Sequence, residues 1–335
     1  MTKGEVLVLL GDPRLPDIVK RGGRFNAEDH EVVTCLREAL ATLNEFSFSY
    51  VDDHTLFVKT LTERRPRLVL NLCDEGFRNN SAFELHVPAL LELLGLPYTG
   101  SGPACLALCA RKHDVRAVAL TLGIPVPDEL HVRAAFEKAP TLRFPLFVKP
   151  VATDGSFGIT RASIVNNIDE LNAQLASIPH AESDGVLVQE WLEGTEYSVT
   201  LLDQHGTVSA LPVLEVDYQS LPISCPRMLP DEAKWDPESP YWKNVRYVPA
   251  RVDPRKQDEL VQSSRLLFER FGCRDYARFD FREDAQRQPR LIDVNPNPGW
   301  CSDGKLNLMA EWAGLSYPAL LSTIIDAGLR RATTR

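Results

Sequence analysis

The first apolar run, residues 5–10, is short and continuous, and Gly11-Asp12-Pro13 stops it. A run of that length bounded by turn formers predicts a strand buried on both faces. Helical spacing follows over 31–43, then strand-like stretches at 46–51 and 67–72, then a helix over 83–94 with Gly95 at its stop. Strands alternating with helices predict a small parallel sheet covered on both faces. Beyond Pro103 a helix over 104–122 runs to Gly123, and Pro125 and Pro127 force an extended exit. Strands are expected at 144–150, 185–190 and 197–202, the first leading into a glycine-bearing loop at 153–158. Eight prolines (212, 222, 226, 230, 237, 240, 249 and 254) break the stretch 212–254, which shows little periodicity. It reads as one long loop, the kind that serves as a lid. Regular spacing returns with a helix over 256–271, paired strands at 277–281 and 290–294, and helices over 306–313 and 317–330.

With 335 residues the chain has room for two or three modest domains. A net charge of −9 argues against a nucleic-acid partner, which needs a concentrated basic surface. No apolar run approaches the roughly 20 residues of a membrane span, and the N-terminal stretch has no signal-peptide pattern. The odd number of cysteines, seven, without close pairing motifs, fits reduced thiols. A cytoplasmic protein with small-molecule partners, and neither nucleic acid nor membrane, is expected.

The last strand pair carries the chemistry. Arg278 and Asp280 are two apart and share a face, as do Asp293 and Asn295. Oxygen ligands beside a guanidinium suit Mg²⁺ bridging nucleotide phosphates. The plain alternative is a polar outer face, against which the rigid stop Asn295-Pro296-Asn297-Pro298-Gly299 speaks. Lys149 precedes the loop containing Gly155, Ser156 and Gly158, where backbone N–H groups could approach phosphate; a strand-capping lysine is the bland alternative. The strand ending in Gln189 and Glu190, then Leu192 and Glu196, could serve an adenosine or be a surface connection. No Walker A pattern and no dinucleotide glycine motif occurs.

Taken in order, these motifs resemble the ATP-grasp superfamily, and within it the D-alanine–D-alanine ligase group. The resemblance rests on 96–102, 144–150, 186–196, 277–280 and 291–299. It implies an α/β (α+β) fold of three domains, with a Rossmann-like parallel sheet and two antiparallel-sheet domains sandwiching ATP. The divisions implied are 1–103, 104–184 and 185–335. Lys112 and Lys149 would then contact phosphates with the loop 154–158 closing over them. Glu190 and Leu192 would hold adenine beside Gln189, and Glu196 the ribose. Asp280, Asp293 and Asn295 would bind two Mg²⁺, with Mn²⁺ as a substitute, while Arg278 steadies the transferred phosphoryl. Lys234 is a γ-phosphate candidate and Ser156 a catalytic one. The activity implied is acyl-phosphate formation on an amino-acid-like carboxylate and transfer to an amine, in a homodimer.

The substrate end departs from the group. The usual Glu after the first glycine turn is missing, the second segment reads Asn71-Leu72-Cys73-Asp74-Glu75-Gly76, and Gly304 stands near the usual Ser. Asp74, Glu75 and Lys305 are the nearest replacements, with surface roles as the alternative. A kinase-like or hydroxyl-activating enzyme, or a non-catalytic nucleotide-binding module, stays open at this level.

Overall fold

The computed structural model describes residues 4–138, 140–151, 158–178 and 185–333. Three sheets organise them. In the first, β1 (Gly4–Leu9) lies between β2 (Phe46–Val51) and β3 (Leu68–Asn71), all parallel. Val6, Leu7, Val8 and Leu9 are fully buried because the sheet is covered on both faces. One face packs on helices Phe57–Glu63 and His86–Leu93, the other on Ala27–Ala41 and the chain's last helix, Tyr317–Thr333. The first of these helices starts four residues before its periodicity shows. Asn26 accepts from the Glu28 N–H at 2.8 Å while its own N–H donates to Asp29, a reciprocal cap.

The second sheet has the order β4 (Glu129–Val132), β7 (Val186–Glu190), β5 (Leu146–Pro150), β6 (Ile164–Val165), with helix Ile168–Ser177 against it. The third contains β8 (Glu196–Gln204), β9 (Thr207–Ala210), β10 (Leu214–Asp217), β11 (Arg246–Pro249), β12 (Tyr276–Glu283) and β13 (Pro289–Asn295). Its order is β11-β10-β8-β12-β13 with β9 on β8, antiparallel throughout. Helix Pro254–Phe271 covers one face.

Two expectations about elements need correction. The stretch 212–254 is not a single loop: it contributes β10, β11 and the short helices Glu232–Trp235 and Pro240–Asn244. Its prolines sit where they cost little, Pro240 at a helix start and Pro249 at the end of an edge strand. The helix expected over 104–122 is two helices, Pro103–Cys109 and Lys112–Thr121, with extended backbone at Arg111. In one continuous helix Cys105, Cys109 and Lys112 would share a face, burying an ammonium with the thiols. The break lets both cysteines stay in the core while Lys112 lines the cleft.

Candidate functional site

The second and third sheets and the C-terminal ends of the first-sheet strands enclose one cleft of about 700 Å³. Its floor is the β12–β13 ladder. Arg278 pairs with Asn295 and Asp280 with Asp293, so all four side chains share the cleft face. That sharing depends on an irregularity. The pairing steps from Asp280–Asp293 to Phe281–Leu291, leaving Ile292 without an opposite residue. Strict alternation would put Leu291 and Asp293 on the same side. The bulge lets Leu291 and Val294 both enter the core while Ile292, Asp293 and Asn295 line the cleft.

Asp280 is buried and held from two sides. Arg278 donates to it through Nε at 3.0 and 3.1 Å and through Nη2 at 3.0 Å, and Ser198 Oγ donates at 2.6 Å. Burial alone would raise its pKa, but the Arg278 and Lys305 charges and these hydrogen bonds hold it down at about 2. Like charges directly opposite in a ladder are unfavourable, and a cation bound beside Asp280 and Asp293 would relieve that repulsion. Among the described residues no cluster of three or more His, Cys, Asp or Glu could hold a metal. Two carboxylates and the Asn295 amide suit an ion that takes its other ligands from phosphate and water, as Mg²⁺ does.

At one side of this floor stands Lys149 on β5, 6% exposed. Burial and the neighbouring Lys112 charge lower its pKa to about 8, against the pull of Asp293 and Glu129. An anion bound beside Lys149 would relieve this repulsion. Lys234 lines the cleft from its short helix, which is tied to the stretch after the glycine-bearing loop. There the Asp231 N–H donates to the Ile159 carbonyl at 2.9 Å and Arg161 pairs with Glu232 at 3.0 Å.

The connection after β7 forms another wall. Gln189 donates to Glu129 on the adjacent strand, and the Glu190 carboxylate accepts from the Asp128 N–H at 3.1 Å. The Leu192 carbonyl accepts from Arg282 Nε at 2.6 Å. Glu196 accepts from Tyr218 OH at 3.0 Å and from Arg282 Nη1 at 3.3 Å. Lys305 reaches the same group, 3.9 Å from Glu196, and donates to Ser198 Oγ at 3.2 Å.

The far end is acidic and comes from the first sheet. Lys20 pairs with Glu75 at 3.1 Å and Asp29 at 3.2 Å, and Trp300 Nε1 donates to Asp74 at 3.1 Å. Burial and the adjacent Glu75 charge raise Asp74 well above the usual carboxylate range. Burial disfavours the Lys20 charge, yet Glu75, Asp74 and Asp29 outweigh it and push its pKa up. A Cβ at Gly11 would lie 2.7 Å from Glu75 Oε2, so the first glycine turn makes room for this carboxylate.

Of the residues singled out in the sequence, Lys112, Lys149, Gln189, Glu190, Leu192, Glu196, Lys234, Arg278, Asp280, Asp293 and Asn295 all line this cleft, as do Asp74, Glu75, Gly304 and Lys305. Gly155 and Ser156 lie outside the described residues. Gly158 adopts φ +77° and is not among the lining residues; the nearest atom to a Cβ there is Pro150 Cγ at 3.2 Å. Sequence reasoning missed Arg282 and Lys20. Arg282 had a signal, since 278, 280 and 282 share one strand face; Lys20 lies in an irregular stretch and had none.

Comparison with known proteins bears on the family and the fold. The family model described as "D-ala D-ala ligase C-terminus" matches residues 122–326. The protein y4sG of Sinorhizobium fredii (strain NBRC 101917 / NGR234) is 33% identical over 268 residues, covering 80% of this chain and 76% of that one. The D-alanine–D-alanine ligase of Haemophilus influenzae (strain PittEE) is 31% identical over 282 residues, 78% of this chain and 86% of that one. Among solved structures, D-alanine–D-alanine ligase from Bacillus anthracis complexed with ATP superposes with a TM-score of 0.72 over 99% of both chains at 19% identity. VanG D-Ala:D-Ser ligase from Enterococcus faecalis gives 0.70 at 19% identity, covering 98% of this chain and all of that one. These two share the fold.

Proposed function

Because the chain belongs to the D-alanine–D-alanine ligase family, as an ATP-dependent ligase with the ATP-grasp fold, we propose that it joins an amino-acid-like carboxylate to an amine through an acyl phosphate. That membership favours amide formation over the kinase-like and non-catalytic alternatives. The observation that carries the reading is the Arg278–Asp280–Asp293–Asn295 set on one sheet face at the floor of the cleft.

Asp280, Asp293 and Asn295 are the candidate holders of two Mg²⁺, which would neutralise phosphate charge when bound. Lys149, Lys112 and Lys234 fit the phosphate side, and Glu190, Leu192 and Glu196 the nucleoside side. Arg278 grips both Asp280 oxygens. Beside these candidate holders, the Arg278 guanidinium would neutralise charge developing on the transferred phosphoryl group. The substrate carboxylate attacks the γ-phosphorus and ADP leaves; a bound amine then attacks the acyl carbon and phosphate leaves. The acidic end around Asp74 and Glu75 suits a substrate ammonium, and Lys305 suits a carboxylate or phosphate oxygen.

We read 1–103 as the substrate segment and 104–184 with 185–335 as the two halves that hold nucleotide. Among the described residues no helix is long and apolar enough to cross a membrane. From the family likeness, we read the protein as a cytoplasmic homodimer. The deciding experiment is an ADP-release screen over pairs of amino acids and amines, with mass spectrometry of the products. An amide product is expected; ADP release with a stable phosphorylated product and no amide would overturn the reading.

A further inference from the structure

Arg282 lies two residues beyond Asp280 on β12 and is 5% exposed. All three guanidinium nitrogens are engaged at one end of the cleft. Nε donates to the Leu192 carbonyl at 2.6 Å, Nη1 to Glu196 Oε2 at 3.3 Å, and Nη2 to the Arg227 carbonyl. The Trp191 ring lies 4.6 Å from its central carbon, and Tyr218 OH supports the same Glu196 oxygen at 3.0 Å. One side chain therefore fixes the spacing between the backbone at Leu192 and the carboxylate at Glu196, and fastens the segment carrying Arg227 beside them.

A buried guanidinium is a costly way merely to fill space, since an apolar side chain of similar volume often serves stability as well. Its planar fork, however, can orient several acceptors at fixed angles, which an ammonium cannot. We propose that Arg282 is a positioning residue for the nucleoside part of ATP, pre-setting the Leu192 backbone and the Glu196 carboxylate before the nucleotide arrives. This rests on the nucleotide reading given above. Pre-organisation acts on binding and leaves the phosphoryl step to Arg278, Asp280 and Asp293.

The test is titration calorimetry of Mg–ADP with the whole protein and its Arg282→Lys and Arg282→Met variants, which needs no knowledge of the other substrates. Both variants are expected to bind Mg–ADP about tenfold or more weakly, the scale of lost charge-assisted hydrogen bonds. With a substrate pair from the screen, the KM for ATP should rise while kcat stays within about threefold, because ground-state positioning is what was removed. Binding of Mg–ADP by Arg282→Lys within about twofold of the wild type would overturn the proposal, and so would equal losses in kcat and kcat/KM with an unchanged KM. If the wild type binds no nucleotide, the nucleotide reading itself falls, and this inference with it. Should both variants fail to fold, Tyr218→Phe takes their place: it leaves Arg282 intact and removes one Glu196 contact. A weakening of about threefold is then expected, and unchanged binding overturns the proposal.

Discussion

Asp280 on β12 stands directly across the ladder from Asp293 on β13, and both side chains line the cleft. Arg278 compensates the first, while the Asp293 carboxylate accepts from its neighbouring Val294 N–H at 3.1 Å. Two carboxylates in this relation are mildly unfavourable for folding alone and favourable once a cation arrives.

Asp293→Asn should therefore leave the unliganded fold as stable as before or slightly more so, within about 1 kcal/mol. Mg²⁺-dependent ADP release should fall by about a hundredfold or more. Thermal melts without metal and a steady-state assay across Mg²⁺ concentrations check both halves. Near-normal turnover would remove Asp293 from the metal site.

Acid stability follows from Asp280. Its folded pKa of about 2 lies below the ordinary 3.8, so the carboxylate stabilises the fold above that ordinary value. The contribution, on the order of 2 kcal/mol, is lost as pH falls from about 4 through about 2. Denaturant unfolding of the wild type and Asp280→Asn at steps between about pH 5 and 2 should show their difference shrinking. A constant difference across that window contradicts the assignment.

Lys149 gives the opposite sign. Its pKa is lowered from 10.5 to about 8, so the charged form is penalised in the fold at neutral pH. The penalty is relieved as pH rises from about 8 through 10.5, and stability relative to Lys149→Met should rise over that window. Phosphate beside the ammonium should raise its pKa again. Mg–ADP binding at about pH 8.5 is then expected to take up a substantial fraction of a proton, read by calorimetry in buffers of different ionisation enthalpy. Lys149→Met should abolish the uptake and weaken binding.

At the acidic end, Glu75→Gln removes one carboxylate charge from the group around Lys20. The KM for the ammonium-bearing substrate should rise about tenfold while the KM for ATP is unchanged. Equal effects on both substrates would point to a structural role.

The sequence alone determined the order of the motifs and, through them, the family. It also determined the two-residue spacing that puts Arg278 with Asp280 and Asp293 with Asn295, because side-chain alternation in a strand is local. It left Arg282 unremarked, although the same alternation puts that residue beside its neighbours. The parallel sheet of the first segment was legible for a related reason: β1 and β3 are mostly apolar runs, as strands covered on both faces are.

Only the tertiary structure decided the rest. β10 and β11 are four residues each, too short for their period to stand out among the prolines, and they are fixed by pairing with partners elsewhere in the chain. The bulge at Ile292 cannot be read from alternation, since it is a register slip against β12, set by the need to bury both Leu291 and Val294. Lys20, Glu75, Arg282 and Lys305 come from distant parts of the chain, and what brings them to one cleft is the packing of three sheets. Local chemistry chose the side chains; burial and long-range pairing chose which of them meet.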